Sequence, residues 1–337
     1  MSKQGAEQAT GTGWLPERKL TENGEIRRVG VEIEFSGVAP EIIARTIVEL
    51  YGGKAVEQTR FEFDVVDTRF GDFKLELDSS YLKQLAVEET AKRKPADALS
   101  SITADLLARA SELLVPWEIV SPPIGFGEAE SLCDLIEQLR QQGGRGTRHA
   151  LQFAFGVHLN PELPDLEADT IVAYLRAFFC LYEYIADREK IDISRKLTPY
   201  IDHFGKDYLR KVVDWNYRPS QQELIDDYLE FNPTRNRSLD MLPLFAHLDE
   251  PRVRRAIDDA RVNPRPTFHY RLPNCDIDNP AWNLDHPWNL WLQVEALSND
   301  ESRLQHFCEA YGKVLDSLIP PLGENSWLKQ SEVLLGG

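Results

Sequence analysis

Residues Val29-Gly30-Val31-Glu32-Ile33-Glu34-Phe35 alternate apolar and non-apolar side chains without a break. On an extended chain, successive side chains point to opposite faces, so Val31, Ile33 and Phe35 share one face and Glu32 and Glu34 the other. The segment predicts a strand with one face in a core and two carboxylates opposite, their Cα atoms roughly 6–7 Å apart. Like charges that close repel. A solvated outer face relieves them, and so does a divalent cation held by oxygen ligands. The motif alone leaves both open.

The rest of the chain supplies a sheet for this strand. Residues 1 to about 25 are polar and read as a loose tail. After the strand near Arg27–Phe35, Pro40 opens a helix on which Ile42, Ile43, Ile47 and Leu50 recur at helical spacing, and Gly52-Gly53 closes it. Strands are expected near 54–66, 70–78, 117–121 and 151–159, and helices around Leu99–Ala110 and Leu132–Leu139. From about Asp165 the pattern is mostly helical, with a last strand near Thr267–Arg271. Ile171–Ala186 is the most apolar stretch, but Arg176 and Glu183 mark it as a buried helix and not a membrane span. Strands dominate the first half and helices the second. That order predicts an α+β fold: a mostly antiparallel sheet and a helical C-terminal half, in one domain over residues 26–325.

Composition removes several classes of function. The 337 residues are 42% hydrophobic, enough for a real core. A formal net charge of -17 repels phosphate backbones and anionic lipid, so neither nucleic acid nor a membrane is an expected partner. It does not forbid ATP, since metal ions and local arginines can invert the field inside a site. The four cysteines are widely spaced and form no CxxC pair. Together with a polar N-terminus, they fit reduced thiols in a cytoplasmic protein. No GxxxxGK[ST] loop, GxGxxG turn, HExxH helix or GxSxG elbow is present.

Further segments carry polar groups, three of them on strand-like patterns before the arginines. In Phe73–Asp78, Glu76 and Asp78 oppose Phe73, Leu75 and Leu77, with Lys74 on the polar face, so either a solvated face or a substrate-facing Asp78 fits. In Trp117–Pro122, Glu118 interrupts an apolar run and requires a partner, either a metal ion or an arginine. In Gln152–Asn160, small Ala154 and Gly156 share a face with His158 and Asn160, leaving room for a ligand beside an imidazole that otherwise has a structural role. Arg235, Arg237 and Arg271 offer guanidinium forks suited to phosphate and carboxylate oxygens, or to ordinary ion pairs in an acidic protein. Trp282, Trp288 and Trp291 fit core packing better than a pocket wall.

In this order, the segments Val29–Phe35, Leu77–Ser80, Glu118–Pro123, Gly156–Asn160, Arg235–Asp240 and Thr267–Arg271 resemble the amidoligase family, carboxylate–amine ligases related to glutamine synthetase and glutamate–cysteine ligase. The resemblance implies a curved antiparallel sheet forming a funnel, with ATP and Mg2+ (or Mn2+) on its concave face. It implies Glu32, Glu34 and Glu118 as metal ligands, with His158 beside the metal or the transferring phosphate. Arg237 and Arg271 would steady phosphate and acyl phosphate oxygens, with Arg235 and Asn160 at the cofactor and Asp78 at the substrate. The substrates would be a small-molecule carboxylate and an amine, or a peptide. Where the family's last strand reads T-x-E-F-R, this chain has Thr267-Phe268-His269-Tyr270-Arg271. His269 in the glutamate's place removes a negative charge and favours manganese over magnesium. A metal-dependent amide hydrolase using Glu32, Glu34 and His158, and a ligand-binding protein that has lost the reaction, are the competing readings.

Overall fold

The computed structural model describes residues 15–59, 61–77, 116–147, 155–191, 203–317, 323 and 326–336. Asp78, the helix expected around 99–110 and the start of the strand expected at 151–159 lie outside these residues.

Nine strands occur among the described residues: β1 (Arg28–Phe35), β2 (Lys54–Thr59), β3 (Glu62–Thr68), β4 (Gly71–Leu77), β5 (Trp117–Val120), β6 (Ile124–Gly125), β7 (Val157–Pro161), β8 (Leu239–Asp240) and β9 (His269–Tyr270). They form one open sheet in the order β2-β3-β4-β5-β1-β7-β9-β8, with β6 on the end of β1, and every pairing is antiparallel. The principal helices are α1 (Pro40–Tyr51), α2 (Leu132–Gln141), α3 (Ala168–Arg188), α4 (Lys206–Val213), α5 (Gln221–Phe231), α6 (Leu242–Ala256), α7 (Asp285–Asn299), α8 (Glu301–Asp316) and α9 (Trp327–Gly336). None is long and apolar enough to cross a membrane.

Alternation decides which face of the sheet meets the helices. Val29, Val31, Ile33 and Phe35 of β1 are fully buried, as are Phe73 and Leu75 of β4, Val157 and Leu159 of β7, and Tyr270 of β9. Over β9 this apolar face packs on α3 and α7. Tyr174 meets the Phe268 ring at 5.1 Å, and Trp291 meets Phe268 at 5.5 Å and Tyr270 at 5.4 Å. Trp288 and Trp291 are therefore core residues. The opposite face carries Glu32, Glu34, Glu76, Glu118, His158, Asn160 and His269.

Several local signals act as expected. Pro40 starts α1, where its missing N–H costs nothing. Gly52 and Gly53 follow at φ 79° and 85°, and a Cβ on Gly53 would stand 2.4 Å from the Val66 carbonyl oxygen. The single strand expected over 54–66 is corrected to two, β2 and β3, with the chain reversing between Thr59 and Glu62. No Gly, Pro or Asn stands in the sequence between Lys54 and Val66 to announce a reversal. The last strand is shorter than expected. Only His269–Tyr270 form β9, with Thr267 making an isolated bridge to Glu162.

Candidate active site

Strand register assembles the site. Glu32 lies across from His158 on β7, and Glu34 across from Glu118 on β5. Beyond Glu118 the row continues to Glu76 on β4 and Glu62 on β3. Ser121 explains why β5 ends at a Ser-Pro pair: its hydroxyl accepts the Val31 N–H at 2.9 Å and its own N–H reaches the Val31 carbonyl, so pairing with β1 is kept to the turn.

His158 sits between the two glutamates of β1. Its Nδ1 is 2.7 Å from Glu32 Oε2 and its Nε2 is 3.6 Å from Glu34 Oε1. Glu34 also accepts the Gly156 N–H at 2.7 Å, so the small residue beside His158 lets a backbone donor reach the carboxylate. Asn160 donates to Glu32 Oε1 at 3.0 Å and accepts from Arg265 at 2.8 Å, and so links a site carboxylate to a guanidinium. His269 faces the same cluster, its Nε2 3.6 Å from Glu32 Oε2 and its Nδ1 3.7 Å from Asp240 Oδ2. The His158 and His269 rings stand nearly perpendicular, at 76°, with centroids 5.1 Å apart.

These groups are enclosed, with only 6% of His158, 5% of Asn160, 4% of His269 and none of Asp240 exposed. Burial pushes the His269 imidazole below its ordinary value and favours the neutral ring. Burial also works against charge on Glu32, but the opposing pull of His269 and His158 wins, and the carboxyl stays well below the usual carboxylate range.

Two sets of donor atoms each fall within 4.8 Å of one another: Glu32, His158 and His269, and Glu34, Glu118 and His158. Neither ring nitrogen of His269 has a hydrogen-bond partner among the described residues, and nor does Asp240 Oδ2. Buried polar atoms left in this way are costly unless a ligand completes them. Carboxylate oxygens and neutral imidazole nitrogens are the donors a divalent cation takes, so the residues fit such an ion.

The arginines form a second group. Arg271 donates to the Arg235 carbonyl oxygen at 2.7 Å, and Arg237 to the His203 carbonyl oxygen at 2.8 Å. Burial lowers the Arg235 pKa, and although Asp240 opposes this, the nearby Arg271 charge adds to it. Of the residues singled out from the sequence, Glu32, Glu34, Glu118, His158, Asn160 and His269 thus share one face of the sheet.

Three residues escaped sequence reasoning. Arg265 stands between Pro264 and Pro266, and the odd-numbered alternation of Thr267, His269 and Arg271, carried two residues back, would have found it. Asp240 closes the arginine segment but is brought to His269 by pairing of β8 with β9, which no local pattern reveals. His203 had no signal. Its ring stacks on Tyr182 at 3.5 Å, neither nitrogen has a hydrogen-bond partner among the described residues, and burial beside Arg237 pushes its pKa down to about 3.

A family model described as "Putative amidoligase enzyme" matches residues 25–293. No curated protein matches the chain, and no solved structure does.

Proposed function

The chain belongs to the amidoligase family, and from that premise we propose that it is an ATP-dependent ligase that joins a carboxylate to an amine through an acyl phosphate. The observation that carries the reading is the convergence on one sheet face of Glu32, Glu34 and Glu118 with His158, whose ring nitrogens stand 2.7 Å from Glu32 and 3.6 Å from Glu34, with Arg265 3.9 Å from Glu32.

A carboxylate is a poor acylating agent. Transfer of the γ-phosphate of ATP to one of its oxygens makes an acyl phosphate, and attack by an amine then expels phosphate and leaves the amide. Charge gathers on phosphoryl oxygens in both steps, so positioning and electrostatics supply most of the acceleration. A divalent cation, Mg2+ or Mn2+, would neutralise that charge, and Glu32, Glu34, Glu118, His158 and His269 are the residues that would hold it. Arg237 and Arg271 would bind the phosphoryl and acyl phosphate oxygens, and Arg235 and Asn160 the nucleotide side of the site. Arg265 joins them through Asn160, which ties it to Glu32. Asp78 would face the substrate. The curved, funnel-like sheet of the glutamine synthetase relatives belongs to this proposal, as do small-molecule acid and amine substrates and a cytoplasmic setting.

Hydroxylamine trapping tests it. The chain, ATP, Mg2+ or Mn2+ and a panel of carboxylic acids should give a hydroxamate and stoichiometric ADP with one acid or a small group of them. Amide cleavage without ATP would replace the proposal by a hydrolase. Absence of both nucleotide and metal binding would replace it by a binding protein of the same fold.

A further inference from the structure

A cleft of about 410 Å³ opens among the helices, away from the carboxylate face of the sheet. α3 contributes Tyr184 and Arg188 to it, α7 Ala296 and Leu297, α8 Arg303, and α9 Leu335. Its size falls in the range of about 300–1,000 Å³ that small-molecule sites occupy. Leu297, Arg303 and Leu335 lie beyond residue 293, where the family match ends, so the resemblance that covers the carboxylate face says nothing of this cleft.

The wall formed by α9 is pinned at both ends. At its start, Trp327 donates to the Cys180 carbonyl oxygen at 2.8 Å and stacks on Tyr311 at 4.8 Å. At its end, Arg303 Nη2 donates to the carbonyl oxygens of Leu334 and Leu335 at 2.9 and 2.7 Å. Those bonds occupy one nitrogen of the Arg303 guanidinium, and Nε and Nη1 have no hydrogen-bond partner among the described residues. Arg188 rests over the Tyr184 ring at 5.1 Å and pairs with Glu332 at 3.2 Å. Glu332 is also held by Lys329 at 2.8 Å. Two guanidinium groups and an ammonium thus meet a single carboxylate, a local excess of positive charge on a chain whose formal net charge is -17.

That combination defines the chemistry of an occupant. A cation is repelled. A wholly apolar molecule would cover guanidinium donors without giving them an acceptor, which is costly. A bare inorganic anion would satisfy the donors but leave Leu297, Leu335 and the Tyr184 ring uncovered. A carboxylate accepts the parallel N–H groups of a guanidinium, and an apolar body attached to it covers the rest.

We propose that this cleft binds a small organic anion, a carboxylate on an apolar body, with Arg188 and Arg303 taking the carboxylate and Tyr184, Leu297 and Leu335 the apolar part. The site is separate from the carboxylate–histidine face and depends neither on a metal ion nor on the ligase reaction.

Calorimetry on the full chain, without ATP or metal, tests it with three probes titrated singly: octanoate, octylamine and inorganic phosphate. Octanoate should bind saturably at one site, and octylamine and phosphate at least about tenfold more weakly. Arg188→Met should weaken octanoate binding by about tenfold. Its side chain is 49% exposed, and losing an ion pair of that kind costs the fold little. Ala296→Trp places an indole in the cleft from an exposed position on α7 and should abolish octanoate binding; should that variant not fold, Arg188→Met decides. Octanoate binding that survives Ala296→Trp, as it would if octanoate sat on the carboxylate face as a substrate acid, would overturn the proposal. Equal binding of octylamine or phosphate, no saturable octanoate binding, or an Arg188→Met affinity equal to wild type would overturn it too.

Discussion

Glu295→Ala should cost a large share of the stability of this protein. Glu295 on α7 accepts from Arg27 Nη2 at 2.7 Å, Arg27 Nη1 at 3.0 Å, Trp291 Nε1 at 3.0 Å and the Tyr174 hydroxyl. Arg27 and Glu295 are 0% and 1% exposed. Arg27 immediately precedes β1 and also donates to the carbonyl oxygens of Arg18 and Glu162, so the pair joins the site strand to the helical half. Truncating Glu295 leaves a guanidinium buried without a counter-charge and two donors without an acceptor. Removing one member of such a pair costs about 3–5 kcal/mol, against a total stability of about 5–15 kcal/mol. Glu295→Gln keeps the shape and part of the hydrogen bonding, so about 2–3 kcal/mol is expected. Arg27→Met with Glu295→Leu removes both charges and should cost less than the sum of the single changes, the remainder coming from the Tyr174 and Trp291 donors left without their acceptor. Urea unfolding followed by tryptophan fluorescence measures all of these. A cost below about 1 kcal/mol for Glu295→Ala, or an additive double variant, would refute the reasoning.

Acid should destabilise the protein through His203. Its folded pKa of about 3 lies below the unfolded value near 6.5, so between the two only the unfolded state takes the proton. Stability then falls as pH drops below about 6.5, by roughly 1.4 kcal/mol per unit and about 2 kcal/mol by pH 5. His203→Phe, which keeps a ring against Tyr182, should remove that part of the slope in denaturation at pH 7 and pH 5; an unchanged slope would show that other groups carry it. Glu34→Gln should abolish metal-supported nucleotide turnover, by 100-fold or more, while the metal-free protein unfolds at the same or slightly higher urea concentration. Glu34 faces Glu118 across the strand pair, and like charges directly opposite are destabilising by a few tenths of a kcal/mol. Full turnover in Glu34→Gln would mean that this face is merely solvated.

What could be read from the sequence was what is encoded locally. β1 and α1 announce themselves through periodicity and through Pro40 and Gly52-Gly53, and the carboxylates of β1 face away from the core as alternation requires. The division of β2 from β3 was hidden because their reversal is stabilised by strand pairing and not by a turn residue. β8 and β9 are two residues each, too short to carry a period. They exist because the chain, after a long helical excursion, returns to the free edge of β7. That return is what brings Asp240, Arg265 and His269 to Glu32, more than 200 residues away in sequence. Half of the site is therefore a property of one strand and the other half a property of sheet order. A periodicity names the first half, and only the pairing of β7 with β9 and of β9 with β8 names the second. The same division separates the residues by role. Glu32 and Glu34 keep their face of the sheet wherever β1 pairs, whereas His269 faces Glu32 only because β9 is held in register by Asp240's strand on one side and Leu159 on the other. A change that slips β9 by one residue would turn His269 into the core and present Tyr270 to the glutamates, leaving their charge in place and removing the imidazole from their face.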